Sequence, residues 1–242
     1  MNQIEVFLLP MKPPKEKEEV SKNVPISQVY DQIAESFDTK RKHPWEDVTE
    51  FIDTITKENC TLDLGSGNGR HSRLLLEREI DTTSMDISYN ILKTALKNEL
   101  ALVKGFLTGA VNGDVLSLPF KDNSFDRITM IAVFHHLDDE VKRKIALKEI
   151  ARILKKQGQI LLSCWMRTHP RFKKEDLREI IEQGEKDVLV PWKMPDGTQI
   201  MRYYYLFDKE EIEQLLENAN LKIISSRESF HNLFIIAENQ SI

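Results

Sequence analysis

Apolar residues follow two different rhythms along this chain. From about residue 60, short apolar runs alternate with longer stretches in which apolar positions recur every three or four residues. The short runs predict strands, and the longer stretches predict amphipathic helices. The strands are expected over 60–64, 82–86, 110–112, 125–131, 159–163, 222–226 and 233–238. The helices are expected over 69–79, 88–99, 139–154 and 208–218.

Strands that alternate with helices are typical of a parallel sheet covered on both faces. The last two predicted strands follow one another without a helix between them, so they predict a terminal antiparallel hairpin. We therefore expect an α/β fold with a doubly wound, mostly parallel seven-stranded sheet. The helix over 139–154 is expected to end in a charged turn that Gly158 caps.

The segments outside this pattern set the expected domain limits. Residues 11–19 are charged and proline-rich, so residues 1–25 are expected to form a flexible tail. Residues 26–242 are expected to form a single domain that opens with two helices, one from Ser27 and one after Pro44. The regular alternation breaks over about 166–205, which we interpret as an insert on the substrate side.

The overall charge excludes a globally basic nucleic-acid binder, because the 242 residues carry a net charge of -5. Any RNA contact must therefore come from a local basic patch. One patch is 40–43, and the other lies in the insert: Arg167, His169, Arg171, Lys173, Lys174 and Arg178. Acidic residues interrupt the second patch, so a solvated helix face stays open as the alternative to phosphate binding.

Two cysteines, Cys60 and Cys164, are too few for a disulfide framework or a zinc site. Both lie beside or within strand-like runs, so we expect buried free thiols, no metal and a reducing, cytoplasmic location. An apolar stretch over 4–10 is followed by lysines and glutamates rather than by a cleavage site. It predicts neither a signal peptide nor a membrane span.

Three glycines at alternate positions, Gly65, Gly67 and Gly69, join the first strand to a helix. Such a turn uses backbone angles closed to other residues and lets a ligand approach the main chain. The spacing differs from the G-x-G-x-x-G that faces a pyrophosphate. Asp63 precedes the turn, and an acid there suits a positively charged partner. S-adenosylmethionine, with its amino group and sulfonium and no phosphate, is the expected cofactor.

Further candidates end the next strands, where a doubly wound sheet binds its ligands. Asp86 is placed to accept hydrogen bonds from ribose hydroxyls, although it could also cap the helix that follows. Asp114 could bind an adenine amino group beside the apolar Val115, although Gly-Asp is also a common turn. His135 and His136 follow the fourth strand, and on an extended segment they would point in opposite directions. At most one of them is then expected to face the crevice.

Asp63, the glycines, Asp86, Asp114 and the strand before His135 together resemble the class I S-adenosylmethionine-dependent methyltransferase family, over about 45–165. The resemblance implies a Rossmann-like methyltransferase fold whose glycine loop backs the methionine part of the cofactor. It also implies that the acid after the second strand holds the ribose and the acid after the third strand meets adenine. The strand near residue 111 is then expected at an edge of the sheet.

The methyl acceptor has to be found elsewhere, because methyl transfer mainly requires alignment of donor and acceptor in a dry pocket. The two strand cysteines disfavour cytosine carbon methylation, which needs a nucleophilic cysteine in a loop. The sequence 133–136 lacks the prolines typical of base amino methylation. A carboxylate acceptor needs no strong base, only an orienting cation. Arg41 and Arg202 are the candidate cations, with His135 or His136 shaping the pocket.

Several segments give a narrower resemblance, to the tRNA wobble-uridine carboxymethyl methyltransferases, from about Val29 to Glu238. They are 29–37, 41–45, 132–136, 164–165, 187–192 and 202–207. This family esterifies 5-carboxymethyluridine at tRNA position 34 and works with a small zinc-binding activator that covers a sheet edge. The resemblance therefore implies tRNA and such an activator as partners. A long polar insertion found in some members is reduced here to 193–201.

Aromatic residues in these segments could stack on a splayed-out base, with core packing as the alternative. The expected substrate-binding residues are Trp45, His136, Trp165, Trp192 and Tyr203. Tyr203 and Tyr205 are expected on one face of a strand and Tyr204 on the other. Two other functions stay open: a methyltransferase acting on a quinone or another metabolite, and a cofactor-binding scaffold that has lost catalysis.

Overall fold

The computed structural model describes residues 24–99, 109–168, 186–229 and 232–241. The predicted tail over 1–25 lies outside these ranges except for its last two residues. The basic positions from His169 to Arg178 also lie outside the described residues.

Within the described ranges the chain forms helices and strands close to the predicted bounds. The helices are α1 Ile26–Lys40, α2 Glu46–Ile52, α3 Ser72–Glu77, α4 Tyr89–Glu99, α5 Glu140–Ile153 and α6 Lys209–Asn218. The strands are β1 Cys60–Leu64, β2 Asp81–Asp86, β3 Gly109–Asn112, β4 Phe125–Ile131, β5 Leu154–Trp165, β6 Asp187–Lys193, β7 Gln199–Tyr205, β8 Leu221–Ser229 and β9 Asn232–Asn239. A short 3-10 turn covers Phe134–His136.

Seven strands form one sheet in the order β3-β2-β1-β4-β5-β9-β8. Neighbours from β3 to β5 pair in parallel, whereas β9 runs antiparallel to both β5 and β8. This confirms the predicted fold, including the edge position of the strand at residue 111. The strands β6 and β7 lie in the insert and form a separate antiparallel hairpin. The sequence predicted a strand only at the tyrosines 203–205 and did not predict the hairpin.

The core explains why the central strands are apolar on both faces. Leu62 of β1, Ile128 and Met130 of β4, and Ile160 and Leu162 of β5 are completely buried. Helices pack on both sides of these parallel strands, so neither strand face meets water. Each such side chain contributes about 1.5–3 kcal/mol of burial free energy.

The end of α5 corrects one prediction. The helix passes directly into β5 at Leu154, and Gly158 does not cap it. A Cβ on Gly158 would lie 2.8 Å from the Lys155 carbonyl oxygen, so a close backbone approach within the strand requires glycine there. The side chain of Asn239, from β9, instead donates to the carbonyls of Ala151 and Leu154, both at 2.9 Å. These bonds satisfy carbonyl groups that the helix end leaves open.

Helix α1 and the β6–β7 hairpin together form one wall above the sheet. Asp31 of α1 accepts hydrogen bonds from the Ser88 hydroxyl at 2.6 Å and from the Asn90 backbone N–H at 2.9 Å. The Trp192 indole N–H of β6 donates to the Ser36 hydroxyl of α1 at 3.0 Å. Helix α1 is thus attached to the start of α4 on one side and to the hairpin on the other.

Candidate active site

A cavity of about 760 Å³ opens above the carboxyl ends of β1, β2 and β4. Its floor is the glycine loop, and α1 and the β6–β7 hairpin form its far wall. Both the size and the place are those expected of a ligand site in a doubly wound sheet. Among the residues that the structure describes, none of the helices combines the length and the apolar composition needed to cross a membrane.

The glycine loop has the predicted backbone. The φ angles of Gly65, Gly67 and Gly69 are 73°, 58° and 75°, in the left-handed region that favours glycine. A Cβ on Gly65 would lie 2.2 Å from a methyl carbon of Val133. The N–H groups of Gly65 and Ser66 both donate to the Met85 carbonyl, at 2.7 and 2.9 Å. The loop is therefore held against β2 with its backbone facing the cavity.

Asp86 lines the cavity and holds the loop at the same time. Its two carboxylate oxygens accept hydrogen bonds from the backbone N–H groups of Gly67 and Ser88, each at 2.9 Å. Burial raises the pKa of this carboxyl to about 6, against the opposing effect of those two bonds. Each oxygen retains a second acceptor position, so the turn and the expected ribose contact are compatible.

Asp63 lies beneath the loop rather than in the cavity. Its carboxylate accepts hydrogen bonds from the hydroxyls of Ser72, at 2.6 Å, and Thr129, at 2.8 Å. The residue is absent from the cavity wall, and its burial raises the pKa of the carboxyl. We expected this acid to meet the cofactor. The structure instead makes it a link between β1, α3 and β4 that supports the loop from below.

Asp114 and Val115 reach the cavity at the edge-strand end. The carboxylate of Asp114 accepts from the Leu116 backbone N–H at 2.9 Å, so the residue also forms a turn. A Cβ on Gly113 would lie 2.6 Å from the terminal methyl carbon of Met85, which keeps this turn close to β2. The carboxylate of Asp114 and the apolar side chain of Val115 therefore both line the part of the cavity where we expected the adenine.

The two histidines correct the prediction of opposite directions. Residues 134–136 form a 3-10 turn rather than an extended strand, and the ring centroids of His135 and His136 are 4.6 Å apart. Both residues line the cavity. His135 is buried, its Nδ1 accepts from the Trp165 backbone N–H at 3.2 Å, and its ring stacks on Tyr204. Both histidines thus belong to the same wall.

The hydrogen bonds of His136 fix its tautomer. Its Nδ1 lies 2.7 Å from the Tyr203 carbonyl, which can only accept, so Nδ1 carries the hydrogen. Its Nε2 must then accept from the Tyr30 hydroxyl at 2.8 Å. Burial, with a smaller effect of Arg202, lowers the pKa of this imidazole to about 3. The ring is neutral at physiological pH, and both of its nitrogens are used.

Arg202 and Arg41 lie on the same wall. The Arg202 guanidinium lies 4.8 Å from the Trp192 ring centroid and 5.3 Å from that of Tyr204, and it is 5% exposed. Its Nε has no hydrogen-bond partner within the described part of the chain. Arg41 lies 5.3 Å from the Trp192 ring. Burial and the charge of Arg202 lower the pKa of Arg41, so the two cations repel one another.

The predicted aromatic residues divide into two groups. Trp45 and Trp165 line the cavity, and Trp165 stacks on Tyr204 with ring centroids 4.4 Å apart. Trp192 is buried behind the wall, where its ring stacks on Phe37 at 5.7 Å.

The tyrosines alternate as predicted. The hydroxyl of Tyr203 bonds to Asp187 and that of Tyr205 to Glu211, away from the stacked face of Tyr204. Tyr204, rather than Tyr203, therefore occupies the stacking position. Tyr203 also lines the cavity, and its carbonyl accepts the hydrogen bond of His136 Nδ1.

Sequence reasoning missed several polar residues of the cavity wall, among them Tyr30 and Arg70. Tyr30 stands on the predicted first helix, but nothing in the helix pattern indicates that it meets His136. Arg70 directly follows the glycine loop, and that adjacency is a signal that could have identified it.

The donor set fits the expected cofactor. The wall offers the Asp86 and Asp114 carboxylates to a nucleoside and the glycine-loop backbone to its amino-acid chain. In the described ranges, no cluster of three or more histidine, cysteine, aspartate or glutamate side chains could hold a metal ion.

Comparison with known proteins identifies the family of this chain. The sequence profile of the methyltransferase domain family matches residues 62–162. A protein of Encephalitozoon cuniculi named as a methyltransferase is 31% identical over 214 residues, 88% of this chain and 94% of that protein. The tRNA (carboxymethyluridine(34)-5-O)-methyltransferase of Schizosaccharomyces pombe is 29% identical over 232 residues, 88% of this chain and 95% of that protein.

Two solved structures share the fold at low sequence identity. An S-adenosylmethionine-dependent methyltransferase from Methanosarcina mazei has a TM-score of 0.66 and 19% identity, covering 81% of this chain and 98% of that one. A Haloferax volcanii methyltransferase in complex with the Trm112 activator also has a TM-score of 0.66. Its sequence identity is 16%, and the match covers 90% of this chain and 99% of that one. The chain therefore belongs to the class I S-adenosylmethionine-dependent methyltransferases.

Proposed function

We propose that this enzyme esterifies the carboxymethyl group of a wobble uridine, position 34, in tRNA. S-adenosylmethionine, when bound, supplies the electrophilic methyl group. The observation that carries the proposal is the pair of cavity-side cations, Arg202 and Arg41, which have no carboxylate within salt-bridge distance in the described residues. A carboxylate acceptor would provide the missing counter-charge.

Arg202 is suited to orient such an acceptor. The rings of Trp192 and Tyr204 flank its guanidinium, so its N–H edge is the part left to bind a planar anion. Burial disfavours the charge, but Tyr204 and Tyr30 outweigh it and keep the pKa of Arg202 above its ordinary value. The residue therefore stays cationic, and a bidentate carboxylate contact would satisfy its unpartnered Nε.

The neighbouring histidine also supports an acceptor that is already anionic. A general base must be able to take a proton, but His136 has its Nδ1–H bonded to one carbonyl and its Nε2 bonded to a tyrosine hydroxyl. A neutral hydroxyl acceptor would need a base, whereas a carboxylate needs none. His135 and His136 would then shape the acceptor pocket.

Two features support an RNA substrate. The Schizosaccharomyces pombe relative is named for wobble carboxymethyluridine in tRNA, and it aligns with most of this chain. The exposed lysines Lys40, Lys42 and Lys193 lie on α1, on the segment after it and on the hairpin, beside the acceptor wall. They could bind backbone phosphates, and the Trp165–Tyr204 stack could receive the target base.

A small zinc-binding activator is the proposed protein partner. The strand β3 ends the sheet, and its outer side has no neighbouring strand among the described residues. Such an edge can accept a strand from another chain. The Haloferax volcanii neighbour with the same fold is a complex with the Trm112 activator.

The test is methyl transfer to carboxymethylated tRNA by the chain alone and with its activator. Ester formation at position 34, found by nucleoside mass spectrometry, is the expected result. Accumulation of unesterified carboxymethyluridine in a strain without this chain would support it in the cell.

Two other functions would give different results. Transfer to a quinone or another small metabolite, with none to tRNA, would favour the small-molecule methyltransferase. Cofactor binding without turnover on any acceptor, with the activator present, would favour an inactive scaffold.

A further inference from the structure

Arg70 is a buried cation that takes no part in the proposed binding of the acceptor. It follows Gly69 at the end of the glycine loop, is 8% exposed and lines the cavity. Its guanidinium lies 5.0 Å from the centroid of the Trp45 ring. No carboxylate of the described residues lies within salt-bridge distance of it.

A buried charge without an opposite charge nearby is unfavourable, so this arrangement favours the binding of an anion. Burial, followed by the positive charge of Arg41, lowers the pKa of Arg70 to about 10, which still leaves it charged at neutral pH. Asp63, whose charge opposes this lowering, has its carboxylate oxygens bonded to the hydroxyls of Ser72 and Thr129. An anionic ligand of the cavity would supply the close counter-charge that Arg70 lacks among the described residues.

The order of the strands indicates which ligand supplies it. Asp114 follows the edge strand β3, Asp86 ends β2 and the glycine loop follows β1, so these groups cross the cavity floor in sheet order. A nucleoside held by the two acids would have its amino-acid chain directed toward the glycine loop and Arg70. The one anionic group of S-adenosylmethionine is the carboxylate of that chain.

We propose that Arg70 binds the α-carboxylate of the cofactor, with the Trp45 ring supporting its guanidinium plane. The cavity then contains two separate carboxylate sites, one at Arg70 for the donor and one at Arg202 for the acceptor. The positive charge of Arg41 is felt at both sites: Arg41 lowers the pKa of Arg70, and Arg202 lowers the pKa of Arg41.

Calorimetry on the apo protein tests this without RNA and without turnover. The two ligands are S-adenosylhomocysteine, which has the carboxylate, and 5′-methylthioadenosine, which lacks the whole amino-acid part. The variant Arg70→Gln should weaken S-adenosylhomocysteine about 10- to 100-fold, as expected for a lost buried charge-assisted bond. Its affinity for 5′-methylthioadenosine should change by less than about twofold. The ligand's ammonium group cannot cause the loss, because removing a nearby cation would strengthen its binding.

Arg73 provides the matched control. It is half-buried, stands one turn along, bonds to the Lys42 carbonyl and does not line the cavity. Arg73→Gln changes the net charge equally and should leave both affinities unchanged, and Arg70→Lys should lose less affinity than Arg70→Gln. Equal weakening of both ligands by Arg70→Gln would mean a structural role and overturn the proposal. An unchanged affinity for S-adenosylhomocysteine, or an equal loss with Arg73→Gln, would overturn it too.

Discussion

The side chain of Asn68 donates to the backbone carbonyl of Arg41 at 2.9 Å. The same amide nitrogen donates to the carboxylate of Asp38, also at 2.9 Å. Asn68 belongs to the glycine loop and is 2% exposed, whereas Arg41 follows the last residue of α1. The loop that we expect to hold the cofactor therefore also fixes the chain segment that carries a candidate acceptor arginine.

We predict that Asn68→Ala raises KM for tRNA about 5- to 50-fold, because a buried amide that bonds two acceptors is lost. The cofactor Kd should change by less than about threefold, since both bonds of the amide are made to α1 and the residue after it. Steady-state kinetics and calorimetry measure the two quantities. Asn90→Ala is the control, because Asn90 also bonds α1, through the Asp31 carbonyl at 3.3 Å, but from the start of α4. An equal loss of cofactor affinity in Asn68→Ala would contradict a specific link to Arg41.

A second prediction concerns the geometry of Arg202. Arg202→Lys keeps the charge but loses the planar pair of donors between the Trp192 and Tyr204 rings. We expect kcat/KM on carboxymethylated tRNA to fall about 10- to 100-fold, with cofactor affinity unchanged. Arg227→Lys, which alters a surface ion pair with Asp47 and Glu50, is the matched control. Full activity of Arg202→Lys would rule out a bidentate carboxylate contact.

A third prediction follows from the raised pKa of Asp86, about 6. Between pH 4 and pH 6 the folded protein binds a proton there that the unfolded chain does not, so this residue's contribution to stability rises as pH falls. Asp86→Asn removes that contribution. The Tm of Asp86→Asn minus that of the unaltered protein should therefore be highest near pH 7 and decrease toward pH 4, although the amide can accept only one of the two backbone bonds.

The same carboxyl makes cofactor binding sensitive to acid. Protonation below about pH 6 removes acceptor positions offered to the ribose, so the affinity for S-adenosylhomocysteine should decrease there. Asp86→Asn should bind weakly at every pH and lose this dependence. Calorimetry from pH 5 to pH 8 measures it, and an unchanged pH profile in Asp86→Asn would assign the dependence to another group.

A fourth prediction separates backbone strain from packing in the glycine loop. Gly65 and Gly197 both have left-handed φ angles, 73° and 90°, but only at Gly65 would a Cβ meet another side chain, Val133 at 2.2 Å. Gly197→Ala should cost only about 1–2 kcal/mol of strain. Gly65→Ala should cost about 1–3 kcal/mol more and abolish cofactor binding. Denaturant unfolding measures both, and equal costs would show that Val133 can move aside.

The sequence predicted the elements of this fold well because they follow from local patterns. Strand bounds at 60–64 and 125–131 agree with the structure, as does the left-handed backbone of the glycine loop. The predicted helix cap at Gly158 was wrong, because the Asn239 side chain from β9 satisfies carbonyls at the end of α5 and no local cap is needed. The prediction for His135 and His136 was also wrong, because no local pattern indicated the 3-10 turn that turns both rings toward one wall.

Apolar periodicity and the glycine spacing by themselves determined the parallel sheet, the cofactor class and the end of the sheet where ligands bind. Tertiary structure alone decided which polar groups are available to those ligands. Asp63 is bonded from below, Tyr204 replaces Tyr203 in the stack, and Arg70 is left without a carboxylate partner in the described residues. These outcomes depend on contacts between residues far apart in sequence, such as His136 with Tyr30 and Trp192 with Ser36. Hydrogen-bond partners and burial depend on the packed neighbours, and a local sequence pattern does not contain them.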